Sequence, residues 1–204
     1  VFLDLGSGNG QVPLFINVSI STFPVISTED LNFIANFELL LRWEDVRLTY
    51  QNLHTITNLN KIEDDDIENM WKPSVDFANA VEPKTSEVDK KTTMLINKEH
   101  APRPSSPRRS IEADVFEGDW ATLIMRKEYF TQFVCDFTLY TYPFDQQSCQ
   151  MVFRLRGVTE KYMYFVKDYN AVTYQGSEAL TEFIVQNFSS EVYRKHEEGP
   201  YSKF

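Results

Sequence analysis

Apolar side chains fall at every second position over two long stretches of the chain. Val12, Leu14, Ile16, Val18 and Ile20 alternate with Pro13, Asn17 and Ser19, and Phe15 is the one apolar intruder. From Leu31 the odd positions are Leu31, Phe33, Ala35, Phe37, Leu39, Leu41 and Trp43, set against Asn32, Asn36, Glu38 and Arg42. A period of two places one strand face in a core and the other in water, as in an antiparallel sheet. The alternation returns in Phe133, Cys135, Phe137, Leu139 and in Cys149, Met151, Phe153, Leu155. Shorter strand candidates lie at 121–131, 162–167, 171–175, 181–188 and 201–204. Helical periodicity is nearly absent. Only Ile67–Trp71 reads as a turn or short helix, and many short strands with turns between them predict an all-β sandwich or barrel. Residues 59–69, with Glu63 to Asp66 at their centre, and residues 98–110, with three prolines, read as loops.

Composition narrows the class. The 204 residues are 42% hydrophobic and 25% charged, which is ordinary for a globular protein with one core. Thirty acids against twenty bases give a formal charge of -10 and a pI near 4.8. That balance excludes a nucleic-acid binder, whose phosphate contacts need a concentrated basic face. No apolar run approaches the roughly 20 residues that span a bilayer. Val1 to Gly6 lack the basic and apolar regions of a signal peptide, so the chain as given reads as soluble, with any leader already removed.

The glycine turn of Phe2 to Gly10 resembles the first motif of S-adenosylmethionine-dependent methyltransferases. Such a motif needs a helix after the turn. Gln11 to Ser21 contain Pro13 and a strand-like alternation instead, so residues 1–11 are expected to be a flexible leader or linker. A methyltransferase stays as the alternative reading from a different class.

The two cysteines enclose thirteen residues, and each sits within an alternating stretch. A bridge between them would tie the ends of a loop, stabilise by roughly 3 kcal/mol and imply an oxidising compartment. Two unrelated buried thiols are the other reading of the same pair.

Inside that loop, Tyr142-Pro143-Phe144-Asp145 resembles the signature of the Cys-loop family of pentameric ligand-gated ion channels. Trp43-Glu44-Asp45-Val46-Arg47-Leu48 is similar to the family's Trp-x-Asp-x-Arg-Leu. Trp71-Lys72-Pro73-Ser74-Val75-Asp76-Phe77-Ala78-Asn79 resembles its Trp-x-Pro-Asp segment, with Ser74 in place of the usual Asp. Three motifs in the right order make the resemblance specific. It implies a twisted, immunoglobulin-like β-sandwich of about ten strands, with or without a short N-terminal helix, forming one extracellular ligand-binding domain over 1–204. It also implies a Cys135–Cys149 disulfide, a homo- or hetero-pentamer, a small-molecule ligand between subunits, and a transmembrane domain of the same chain beyond these residues. The expected location is the extracellular side of the plasma membrane.

The same resemblance implies roles for single residues. Tyr142, Pro143, Phe144 and Asp145 would form the gating tip, with Tyr142–Pro143 a candidate cis peptide. Glu29 and Asp30 would sit in the coupling turn after the first strand. An apolar loop tip needs a cover, which a transmembrane domain supplies. A secreted binding protein of the same fold, the nearer alternative, would favour a polar tip. In the ligand site, the family's aromatic positions fall on Ala78, Arg156 and Glu38. Tyr193 and Tyr201 keep the tyrosine spacing of the third ligand loop, with Lys195 and His196 where vicinal cysteines would stand. A cation box of aromatic rings is therefore not expected. A buried Arg156 and Glu38 suit an interfacial ion pair or recognition of a carboxylate or zwitterion, against divergence to a cleft with no ligand.

The remaining features carry less. Glu63 to Asp66 suit either calcium through hard oxygens or a solvated loop. His54, His100 and His196 have no metal-ligand spacing, and no metal or cofactor is expected. Asn17-Val-Ser19 and Asn187-Phe-Ser189 match the glycosylation pattern. No nucleophile–base–acid arrangement appears, so no catalysis is expected.

Overall fold

The structure, a computed structural model, describes residues 11–81, 86–87, 92–101, 114–142, 144–159, 161–180 and 182–193. Two long strands carry the strict alternation: β1 (Val12–Ser27) and β2 (Asn32–Trp43). Short β3 (Thr49–Gln51) follows, then helix α1 (Asp64–Asn69), β4 (Ser74–Phe77), β5 (Ser86–Glu87), β6 (Thr93–Lys98) and β7 (Val115–Glu117). The chain continues through β8 (Ala121–Val134), β9 (Phe153–Arg156) and β10 (Met163–Tyr174). The main sheet runs β10-β1-β2-β8-β5, with β6 also on β8. β1 and β10 are parallel, and the other pairs are antiparallel. β3 pairs with β7 and β4 with β9 as separate two-stranded ribbons.

The alternation decides which face is covered. Phe33, Ala35, Phe37, Leu39, Leu41 and Trp43 of β2 are all buried, beside Leu14, Ile16, Val18 and Ile20 of β1. Register aligns Ile16 with Leu41 and Val18 with Leu39, so the rows fuse into one apolar surface. The β4–β9 ribbon lies against that surface: the Phe77 and Phe153 rings stand 5.6 and 5.9 Å from that of Phe37, both edge to face. This makes the layered, sandwich-like all-β arrangement expected from the sequence. Pro24, which lacks an N–H to donate, lies where the β1–β2 register breaks between Thr22 and Val25.

Several boundaries differ from expectation. The acidic run at 63–66 is not loop: Glu63 is the N-cap of α1, and Asp64, Asp65 and Asp66 fill its first turn. Carboxylates there oppose the positive end of the helix dipole, while Lys72 Nζ donates to the Ile67 carbonyl near the other end. The candidate 121–131 and the start of the alternating run from Phe133 to Leu139 are one strand, β8, which stops at Val134, and 162–167 with 171–175 are one strand, β10. The described part of 181–188 forms only an isolated bridge, Ala179 to Ile184. Neither cysteine lies inside a strand. β8 ends at Val134 and β9 begins at Phe153, because side chains rather than a ladder hold the backbone between. The glycine turn, the N-terminal helix option, Pro143, Lys195, His196, Tyr201 and most of the proline-rich stretch lie outside the described residues. Residues 12–27, where a methyltransferase motif needs a helix, are strand. No described helix is long and apolar enough to cross a membrane.

Candidate functional site

The Cys135–Cys149 disulfide is formed, with Cα atoms 5.2 Å apart, and among the described residues no cysteine is free. Inside the loop, Gln147 acts as a staple. Its Oε1 accepts from the Thr138 N–H at 2.8 Å, and its Nε2 donates to the Thr138 carbonyl at 2.9 Å and to Asp145. The backbone groups of the loop are thus partly met from within, and the rings are left outside. Tyr140 is 96% exposed, Tyr142 76% and Phe144 91%.

A second loop reaches the same end of the molecule. The Leu31 carbonyl, in the turn between β1 and β2, accepts from the Cys135 N–H at 2.9 Å. Ser27 Oγ accepts from the Asp30 N–H and donates to the Asp30 carboxylate, both at 3.0 Å. Asn32 Nδ2 donates to the Asp30 carbonyl. Leu31 sits at φ 53°, a left-handed conformation that costs a bulky residue about 1 kcal/mol or more. Those hydrogen bonds hold the turn there, with Glu29 and Asp30 exposed. The structure therefore brings Glu29 and Asp30 to the neck of the loop that carries Tyr142, Phe144 and Asp145.

The Trp43–Leu48 motif proves to be a joint. Asp45 is 6% exposed and is gripped by Arg47, whose Nε donates to Oδ1 at 2.7 Å and Nη2 to Oδ2 at 2.5 Å. The Arg47 backbone N–H donates to the same Oδ1 at 3.1 Å. The Arg47 guanidinium lies 5.8 Å over the Trp71 ring, and Trp71 stands edge to face with Trp43 at 6.4 Å. Two motifs distant in sequence thus meet in one contact. Burial by itself would raise the Asp45 carboxyl, but the hydrogen bonds from Arg47 outweigh it and hold it below the usual carboxylate range. A carboxyl held low adds stability that is present above its unfolded pKa and is lost as pH falls through the folded one. Acid titration of the native protein is therefore expected to show a stability loss below about pH 4. Asp45→Asn should remove most of that segment of the profile and cost about 2 kcal/mol at pH 7 in a denaturant melt.

The residues carried over for ligand binding are spread over separate elements. Arg156, at the end of β9, is exposed on the single chain. It forms no ion pair with any described residue. Glu38 is half-buried on the outward face of β2, between Ser19 of β1 and Glu128 of β8 in register. Two carboxylates opposite one another on neighbouring strands repel. Glu128 is not singled out by the sequence, since only register puts it there. Ala78 is half-buried and its N–H donates to the Val152 carbonyl at 2.7 Å. Tyr193 is 61% exposed and its hydroxyl donates to Glu191; that hydrogen bond raises the phenol pKa.

Sequence reasoning also misses Asn79. Its Nδ2 donates to the Val134 carbonyl at 3.2 Å and to the Gln150 carbonyl at 2.8 Å, and its Oδ1 accepts from the Val152 N–H at 2.9 Å. The only trace in the sequence is its place at the end of the Trp71–Asn79 motif. Asn187 is exposed, whereas the Asn17 side-chain amide, on a strand paired at both edges, donates to the Asn170 carbonyl. Among the described residues no three His, Cys, Asp or Glu side chains gather as a metal site.

The family model for the neurotransmitter-gated ion-channel ligand binding domain matches residues 6–203. Gamma-aminobutyric acid receptor subunits alpha-2 of Homo sapiens, Mus musculus and Bos taurus are each 22% identical to this chain over 166 residues. The match covers 81% of this chain and 32% of each relative, so the chain spans about a third of their length.

Proposed function

The chain belongs to the neurotransmitter-gated ion-channel ligand-binding domain family, and from that premise we propose that it is the extracellular, ligand-sensing domain of a pentameric channel in the plasma membrane. A small ligand binds between neighbouring copies, and the Cys135–Cys149 loop passes the change to a pore formed by a transmembrane domain of the same chain. The observation that carries this reading is the convergence of the exposed Tyr140, Tyr142 and Phe144 with the Glu29–Asp30 turn at one end of the sandwich. Bare rings on that scale lose free energy in water and gain it under a cover. In the sequence Pro143 stands between two of those rings.

Gating on this reading is a population shift. Moving a closed ring to an open one, from 1:99 to 99:1, takes about 5.5 kcal/mol of differential binding, or about 1 kcal/mol at each of five interfaces. One well-placed charged hydrogen bond per site is enough.

Arg156 is the group we assign to that bond. Its exposed guanidinium offers a bidentate fork to a carboxylate, and the relatives named above are receptors for gamma-aminobutyric acid, which is a carboxylate and an ammonium on one short chain. On the opposite face, Glu38 with Glu128 in register supplies the anionic partner an ammonium needs. Ala78 leaves room where a ring would stand, and Tyr193 closes the site from the third loop, to which the sequence spacing also assigns Tyr201. Asn187 is the proposed glycan acceptor, since Asn17 has its amide engaged.

Voltage-clamp recording of the full-length protein, challenged with gamma-aminobutyric acid and other short zwitterionic amino acids, tests the assignment. Arg156→Ala is expected to raise the half-maximal concentration at least about tenfold with little change in surface expression. Equal responses from both forms would remove Arg156 from the site. A full-length protein that reaches the surface but stays monomeric would overturn the receptor reading itself.

A further inference from the structure

We propose that Asn79 is a positioning residue that closes the neck of the Cys135–Cys149 loop independently of the disulfide. The covalent closure joins residues 135 and 149, and Asn79 closes the neck again one residue further out on each stem. Its Nδ2 donates to the carbonyls of Val134 and Gln150, at 3.2 and 2.8 Å, while its Oδ1 accepts from the Val152 N–H at 2.9 Å. Its own backbone adds a fourth bond, with the Val134 N–H donating to the Asn79 carbonyl at 2.9 Å. β8 ends at Val134 and β9 begins at Phe153, so no ladder joins the stems here. One side chain replaces it.

The chemistry selects asparagine. The site needs two donors on one atom and an acceptor beside it, held at short reach from a backbone wedged between the stems. Aspartate keeps the acceptor and loses both donors. Serine can meet one carbonyl, and glutamine places the amide a methylene too far. Asn79 also directly follows Ala78, whose N–H is bonded to the Val152 carbonyl. The segment that bears a ligand-loop position and the loop that bears the apolar tip are therefore held by the same residue. The consequence for gating rests on the receptor reading above, whereas the closure itself does not.

Thiol–disulfide exchange reads the closure directly. In the reduced full-length protein, the reaction with oxidised glutathione forms the Cys135–Cys149 bond and releases two reduced glutathiones, and its equilibrium constant reports how well the fold holds the two thiols together. Asn79→Ala is expected to lower that constant about tenfold, and to raise hydrogen exchange at the amides of residues 136–148. Asn60→Ala is the matched control. Asn60 makes three backbone bonds of its own, to the His54 N–H and carbonyl and to the Ile96 carbonyl, remote in the chain from the loop. It should destabilise the domain comparably and leave the constant within about twofold. The proposal is overturned if Asn79→Ala stays within twofold of the native constant, or if Asn60→Ala lowers it equally. Should Asn79→Ala not fold, Asn79→Asp is judged by the same two criteria. Neither result depends on a ligand or a current, so failure here leaves the receptor reading standing, and failure of that reading leaves this one.

Discussion

Gly118→Ala is expected to abolish folded protein, although it adds a single methyl group. Gly118 is buried in the tight turn between β7 and β8. A Cβ built on it would lie 1.9 Å from the Asp45 carbonyl oxygen, 2.7 Å from that carbonyl carbon and 2.9 Å from the Leu48 carbonyl oxygen. All three are backbone atoms, so no side chain can swing aside. The Asp45–Leu48 backbone is itself pinned, by the Leu48 N–H donating to Asp45 at 3.1 Å and by the grip of Arg47 on the Asp45 carboxylate. Making room means moving the joint that holds Trp43 against Trp71. Overpacking of this kind costs about 3 kcal/mol or more, a large part of the roughly 5–15 kcal/mol that holds a domain together. Soluble secreted yield and a thermal melt check the outcome. A variant that melts within a few degrees of the native protein would show that the Asp45 turn yields easily.

Phe37→Ala should be comparably damaging, for the opposite reason. Phe37 is fully buried and its ring meets four others, Phe77, Tyr129, Phe133 and Phe153, at centroid distances of 5.6 to 6.0 Å. Phe133 and Tyr129 belong to the main sheet, while Phe77 and Phe153 come from the β4–β9 ribbon. Removing the ring opens a cavity at the seam between the layers, which rigid neighbouring rings cannot collapse to fill. The expected cost is about 4 kcal/mol in a denaturant titration, with Phe37→Leu losing about half as much. The damage should reach the neck of the loop, because the ribbon continues into Ala78 and Asn79. Protection from hydrogen exchange at Val152 should fall more in Phe37→Ala than in a substitution of equal cost near β3.

Phe37 and Gly118 differ in how far the sequence announces them. Phe37 stands in an unbroken alternation, and that alternation alone implies its burial. Gly118 lies in Glu117-Gly118-Asp119, a sequence that suits any turn, and only the approach of the Asp45 backbone makes it irreplaceable. The motifs behave likewise. Trp43, Asp45, Arg47 and Trp71 are recognisable as parts of a family pattern, but their mutual contact follows from folding. The acidic run at 63–66 reads as loop because carboxylates in a first turn look like a solvated loop until the helix behind them is seen.

What the sequence determines by itself is the layering. A period of two, repeated with large apolar residues, leaves a strand no option but to bury one face, so β1, β2 and the long part of β8 follow from hydropathy alone. The cysteine spacing with the aromatic tip between marks the loop, and the order of three motifs marks the family. Tertiary structure decides everything that depends on register or on what approaches from elsewhere. It sets Glu38 opposite Glu128, places Arg156 on the surface of the single chain, ends β8 before Cys135, and places Asn79 across the loop neck. The physical reason is range. Hydrophobic burial depends on the side chain and its local periodicity, whereas hydrogen bonds and charge pairs depend on distances of a few ångströms between residues remote in sequence. The chain states the first in its composition; the second exists only once the layers have closed.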